Sequence, residues 1–210
     1  MSSVWVNQKR LWAERVRKMN IINLAYDSTN YYLVQSNCGW VMIDTGWAGT
    51  FKELLGLLKR QDVNPQDIRH LIITHFHPDH AGLVQNIKDC GAQLVLHSNQ
   101  EAFVTTLKQY FKPQHMFREI DKSNTVVVSS SESRKLLRTI RIDGELIPTP
   151  GHSDDSISLV IDGYCAFTGD LPSLSLASWD GNSTLTDSWE LIRKHEVLTI
   201  YPGHGNPFSL

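Results

Sequence analysis

Within six positions the chain places three histidines and a carboxylate, His75, His77, Asp79 and His80, inside Thr74-His75-Phe76-His77-Pro78-Asp79-His80. A neutral imidazole is a good ligand for zinc, and a carboxylate is a harder donor that offsets cationic charge. In an extended stretch side chains repeat every two residues, so His75 and His77 face the same way and can grip one ion together. Pro78 disfavours helix at His77 and keeps that pair extended. Asp79 and His80 follow the turn and can serve a second ion. Four donors on so short a loop are hard to spend on one tetrahedral ion. Such a run has little packing use, because four buried polar groups would each need a partner.

Three more candidates sit beside glycines after strand-like runs. They are His152 in Pro150-Gly151-His152-Ser153, Asp170 in Thr168-Gly169-Asp170, and His204 in Pro202-Gly203-His204-Gly205. Glycine lets backbone turn sharply or approach closely, so three strand ends could bring one ligand each to a common edge. One division gives His75, His77 and His152 to the first ion and Asp79, His80 and His204 to the second, with Asp170 between them. Spacing alone leaves other divisions open. Two carboxylates would offset part of the charge of two cations about 3.5 Å apart.

These segments resemble the metallo-β-lactamase fold superfamily, in its glyoxalase II-like and lactonase-like hydrolase branch. The matching pieces are Asp44-Thr45-Gly46, Thr74 to Gly82, Pro150 to Ser153, Thr168 to Asp170 and Tyr201 to Gly205, in the family's order and over nearly the whole chain. The resemblance implies an α/β (α+β) fold: a four-layer αββα sandwich of two mixed β-sheets with helices outside and metals at one edge. It also implies the ligand division above, Asp170 as the bridging carboxylate, and Asp44 as a support that holds ligand geometry. His80 and Asp170 differ from the residues common in antibiotic-destroying members. His77 differs from the glutamate of the di-iron redox members. The chain lacks, after His204, the long helical extension with which a typical glyoxalase II holds glutathione.

The expected function is therefore that of a dinuclear hydrolase. A hydroxide bridging two divalent ions, zinc first and Fe, Mn, Co or Ni as alternatives, would attack a small-molecule ester, thioester or lactone. Asp79 would assist proton transfer. The alternative is a phosphodiesterase or nuclease of the same superfamily. Lactonase members often place a tyrosine near the metals, which nominates Tyr26, Tyr31 and Tyr164. Trp47, Phe111 and Trp179 are candidates for an apolar pocket wall. The loop after Ile22 and the stretches 112–133 and 171–182 are the expected determinants of specificity.

Positioning these groups requires short strands. Ile21 to Leu24, Asn30 to Gln35 and Trp40 to Ile43 read as strands, the last two as a hairpin across Ser36 to Gly39. Thr50 with Glu53 looks like a capping box, and Phe51, Leu54, Leu55 and Leu58 recur with helical period. Leu71 to Ile73 and Ala92 to Leu96 read as buried strands, and Asn99 to Tyr110 as a helix. Leu146-Ile147, Ile157 to Val160 and Tyr164 to Phe167 suggest a meander. Leu185 to Lys194 reads as a helix and Val197 to Tyr201 as the final strand. The stretch 112–133 has no clear assignment, and no regular alternation of strand and helix is evident.

Bulk properties agree with one globular domain over residues 1–210. The chain is 41% hydrophobic and 20% charged, with a net charge of −2, which gives no support for a nucleic-acid or membrane partner. No signal peptide or transmembrane run is evident. Cys38, Cys90 and Cys165 form no CxxC pair and suit buried or half-buried thiols in a reducing cytosol. The expectation is a cytoplasmic monomer or homodimer acting on a small molecule.

Overall fold

Along β2 (Tyr32–Gln35) Tyr32 and Val34 enter one core while Leu33 enters another. β3 (Trp40–Ile43) repeats this, with Val41 and Ile43 on one side and Met42 on the other. This period of two identifies a sheet covered on both faces. Residues 19–175 and 183–210 are described by the computed structural model.

The first sheet runs in the order β1 (Ile21–Asn23), β2, β3, β4 (Ile68–Ile72), β5 (Gln93–His97), β6 (Thr125–Val128). The first three strands are antiparallel, and β3 through β6 are parallel. The second sheet comprises β7 (Gly144–Pro148), β8 (Ile157–Ile161), β9 (Cys165–Gly169), β10 (Thr199–Pro202) and β11 (Phe208–Ser209), in the order β11-β10-β9-β8-β7. The expected meander is β7-β8-β9, antiparallel throughout, and β10 pairs parallel with β9.

Three cores separate four layers. One lies between the first sheet and its helices α1 (Phe51–Arg60) and α3 (Val84–Asp89), where Leu54, Leu58 and Ile87 meet Leu71 and Leu94. The central core joins the sheets through Val34, Ile43, Ile72 and Val95 against Leu146, Leu159 and Phe167. The third packs Val160, Ala166 and Ile200 against Trp189 and Ile192 of α6 (Ser183–Arg193). This is the αββα sandwich of two mixed sheets. Each fully buried large apolar side chain contributes about 1.5–3 kcal/mol.

Several local expectations change. Segment 99–110 is not one helix but a 3₁₀ turn at Ser98–Gln100, α4 (Glu101–Val104) and a second 3₁₀ turn at Leu107–Tyr110. Thr50 does not cap α1, because its hydroxyl donates to the Trp47 carbonyl at 2.7 Å. A capping box does exist at Ser129 and Glu132, opening α5 (Ser130–Thr139) in the stretch that had no assignment. With β6 and the fragmented helices in place, β3 to β6 form a run of parallel strands with crossover connections. The short, broken helices conceal that alternation in the sequence. β10 is not the last strand, since β11 pairs back onto it. Cys38 is exposed rather than buried, while Cys165 is buried and all three thiols are free. Among the described residues no helix is long and apolar enough to cross a membrane.

Candidate metal centre

The carboxyl ends of β3, β4, β7, β9 and β10 share one edge of the sandwich, and each continues into a candidate residue. After β4 the chain bends at Thr74 and is extended at His77, at ψ 156°, as Pro78 requires. Pro78 then opens the short helix α2 (Pro78–Ala81), which turns Asp79 and His80 back toward His75. His75 and His77 lie with ring centroids 4.5 Å apart, and His152 stands 4.8 Å from each.

The donors fall into two groups. His75, His77 and His152 form one, and Asp79, His80, Asp170 and His204 form the other, with donor atoms within 4.8 Å of one another in each. Asp170 Oδ2 lies 3.3 Å from His204 Nε2, 3.6 Å from His152 Nε2 and 3.9 Å from His75 Nε2. That carboxylate therefore stands between the groups. All seven residues singled out in the sequence meet here.

The other edges of these groups are held. His80 Nδ1 lies 2.8 Å from Asp44 Oδ2, and Asp44 also accepts from the Thr74 N–H and hydroxyl at 2.8 Å each. Asp44 adopts the left-handed conformation, φ 59°, which aspartate tolerates better than most residues and which sits beside the cluster. His204 Nδ1 lies 2.7 Å from the Ser28 carbonyl, and the Thr29 hydroxyl donates to Asp79 at 3.2 Å. The inward atoms are held only by one another or not at all: His80 Nε2 and Asp170 Oδ1 lie 3.1 Å apart with no other hydrogen-bond partner, and His75 Nε2 is buried without a hydrogen bond. A buried polar atom left unpaired costs about 1–3 kcal/mol. Inward donors of this kind, backed by held outer atoms, fit a cation-binding centre made of nitrogen and oxygen donors.

Electrostatics agree with that fit. Burial, reinforced by the neighbouring imidazoles, holds His75 well below its usual range and hence neutral. Burial also lowers His152. At His80 burial acts downward, but the Asp44 and Asp170 carboxylates outweigh it and raise the imidazole to about 10. Asp170 is opposed by burial, yet His80 and the other histidines hold it well below the usual carboxylate range. A cation at His80 Nε2 would replace a proton already favoured there.

The second sheet reaches this point with close backbone approach at two glycines. Gly169, at φ 53°, packs against the Thr74 side chain, where an added Cβ would lie 2.7 Å from Thr74 Cβ. At Gly203 a Cβ would lie 2.5 Å from Asp170 Oδ1 and 2.7 Å from His80 Cε1.

The chain matches the family profile described as the metallo-beta-lactamase superfamily over residues 25–204. It belongs to the metallo-beta-lactamase superfamily. A beta-lactamase-like protein 2 homolog of Caenorhabditis elegans is 27% identical over 180 residues, 84% of this chain and 56% of that protein. The chain thus spans little more than half the length of that relative. A probable metallo-hydrolase of Methanocaldococcus jannaschii is 28% identical over 85% of this chain and 88% of its own length. Among solved structures, a metallo-beta-lactamase family protein from Thermus thermophilus superposes with a TM-score of 0.68 at 19% identity. The match covers 92% of this chain and 75% of that one. Superfamily membership and the paired donor clusters together support metal-dependent hydrolysis.

Several contributors carried no sequence signal. Asp155, buried, accepts the Phe76 N–H at 2.6 Å. Gln100, fully buried, donates to the carbonyls of Ile73 and Asp155 at 2.9 and 3.2 Å. Both pin the loop carrying His75 and His77. Tyr110 stands with its ring centroid 6.1 Å from that of His77. Of the nominated tyrosines, Tyr31 lies with the loop that contacts the cluster, its hydroxyl 3.5 Å from the Tyr26 carbonyl. Tyr164 precedes β9, at the opposite end of the strand from Asp170, and is removed from consideration. Phe111 stacks on Phe117 at 4.4 Å and is an anchor rather than an open wall. Trp179 and most of the stretch 171–182 nominated for specificity lie outside the described residues.

Proposed function

We propose that the chain is a dinuclear zinc hydrolase of small-molecule esters, thioesters or lactones, in the glyoxalase II-like and lactonase-like branch. The observation carrying this reading is the pair of adjoining donor groups, His75, His77 and His152 beside Asp79, His80, Asp170 and His204, with donor atoms within 4.8 Å of one another in each. His75, His77 and His152 would hold one ion, Asp79, His80 and His204 the other, and Asp170 both. Two such ions supply a water-derived nucleophile at neutral pH and offset negative charge developing on a carbonyl oxygen.

The chain's own groups set the geometry. Asp44 fixes the ring of His80, and Ser28 fixes that of His204. Thr29 orients Asp79, whose Oδ2 lies 3.5 Å from His80 Nε2 and 3.4 Å from His204 Nε2. Asp79 would also assist proton transfer to the leaving group while remaining a ligand. Among the described residues the ion pairs of the cluster run between histidine and aspartate, with no lysine or arginine, which suits an uncharged carbonyl better than a phosphodiester.

Elemental analysis should find two divalent ions per chain, and chelation should abolish hydrolysis that zinc restores. Lactones, thioesters and phosphodiesters should be compared in parallel by kcat/KM. A preference for phosphodiesters, or full activity without metal, would sink the reading.

A further inference from the structure

The two sides of the cluster differ in chemistry. On the His204 side stand Ser28, Thr29 and Asn30, a polar loop tied by hydrogen bonds to His204, Asp79 and the carbonyls of Pro202 and Gly205. On the side of α2, which carries Asp79 and His80, two loops hold large exposed apolar side chains. Trp47 is 43% exposed, Tyr110 56% and Met116 68%.

These three belong to two loops that touch. An added Cβ at Gly49 would lie 3.3 Å from Met116 Cε, so the loop holding Trp47 abuts the loop holding Met116. The first loop is bound to α2 by Thr45, whose N–H and hydroxyl both donate to the His80 carbonyl, at 2.7 and 2.9 Å. The second meets His77 through Tyr110. In this second loop Phe111 and Phe117 stack on each other and pack on the core, while their neighbours Tyr110 and Met116 face outward. Met116 also holds a left-handed backbone, φ 53°, which is unfavourable for a side chain of its kind. Nothing inside the folded chain is gained by showing an indole, a phenol ring and a thioether to water on adjoining loops. Among the described residues the other large exposed apolar side chains, Val127, Leu191, Leu198, Phe208 and Leu210, lie elsewhere in the chain.

We propose that Trp47, Tyr110 and Met116 form an apolar rim that binds the hydrocarbon part of the substrate's acyl group. This makes the enzyme selective for long-chain or aromatic acyl esters and thioesters over acetyl ones. The inference rests on the acyl-hydrolase reading above and adds a substrate class to it. The rim supplies a surface beside His77 and α2, so the scissile carbonyl sits over the cluster and the leaving group points toward the polar Ser28–Asn30 side. Methionine adapts its shape to varied hydrocarbon, and an aromatic ring packs on it at little entropic expense.

The test uses the zinc-loaded protein and acetyl, butyryl, hexanoyl and octanoyl esters of one chromogenic alcohol. kcat/KM should rise by about threefold to fourfold per methylene taken up by the rim. Trp47→Ala combined with Tyr110→Ala should flatten that slope. Leu198→Ala, which removes an exposed leucine from another element, should leave it intact. Binding of the matching free carboxylates, followed by calorimetry, should show the same dependence on length without any turnover. Hydrolysis with no length dependence in the wild type, or a slope that survives the double substitution, overturns the rim and leaves the hydrolase reading standing. Length-dependent carboxylate binding without ester hydrolysis overturns the hydrolase reading and supports the rim. Carboxylate binding that does not strengthen with length overturns the rim by itself.

Discussion

The two sheets mount their shares of the metal centre by different means. The first sheet delivers His75, His77, Asp79 and His80 on one contiguous loop and holds it with polar tethers. Asp44 grips Thr74 and His80, Thr45 accepts the Leu83 N–H and donates to the His80 carbonyl, and Asp155 takes the Phe76 N–H. The second sheet delivers His152, Asp170 and His204 singly, each beside a glycine, and adds close backbone approach to the Ser28 and Asn30 tethers on its His204 loop. The Gly203 N–H reaches the Gly169 carbonyl at 2.7 Å, and the Asn30 N–H reaches the Gly203 carbonyl at 2.7 Å. Burial differs in the same sense among the histidines, whereas the Asp79 and Asp170 side chains are much alike, 19% and 14% exposed. His75 and His80 are fully buried, whereas the His152 and His204 side chains are 30% and 41% exposed. A tethered ligand loop tolerates graded weakening, because several hydrogen bonds hold it together. A close-approach mount has no such reserve, because a single methyl group fills the gap.

That contrast can be broken first at Gly203. Gly203→Ala places a methyl against Asp170 Oδ1 and His80 Cε1. Displacing ligands by about 1 Å should lower kcat by about 100-fold or more. Steady-state kinetics with metal analysis would check it, and near-normal activity would show that close approach is not what positions Asp170.

The tethered side should yield a smaller, graded loss. Asp44→Asn keeps an acceptor for the Thr74 N–H but removes the charge that supports His80. Zinc affinity should fall by about 10–100-fold. A chelator titration reads the affinity, and kcat should recover substantially at saturating zinc. Loss of activity that excess zinc does not restore would place Asp44 in the reaction itself.

The smallest effects belong outside both mounts and sharpen the comparison by contrast. Ser129→Ala removes the capping box of α5 and should cost about 1 kcal/mol in denaturant unfolding. Thr50→Ala removes no cap and should change stability by less than about 0.5 kcal/mol. Neither substitution should alter metal content. Equal destabilisation by the two would contradict the assignment of Ser129 rather than Thr50 as the working cap.

How much of this was legible depended on whether the deciding forces were local. The period of two in β2 and β3 and the helical period of α1 reflect which residues must be buried, and they survive in the structure. The 98–110 stretch has helical residues but breaks into short turns, because Gln100 is drawn inward to the carbonyls of Ile73 and Asp155. That contact lies far away in sequence and leaves no periodic trace. The Ser129–Glu132 box was written in the chain but stood in a polar serine run that obscured the helix behind it. Thr50 carried the same pattern, yet its hydroxyl found the Trp47 carbonyl first.

The sequence by itself determined the donor types and their packing into a short loop, because imidazole and carboxylate chemistry and the extended backbone before Pro78 are local properties. It also placed His152, Asp170 and His204 at strand ends beside glycines. Only the tertiary structure decided that these ends share one edge with the loop, since that depends on strand order and on parallel pairing across long connections. The same holds for the contrast between the apolar rim of Trp47, Tyr110 and Met116 and the polar Ser28–Asn30 side. Exposure is a property of the packed whole, and no single segment carries the information that its neighbour leaves it uncovered.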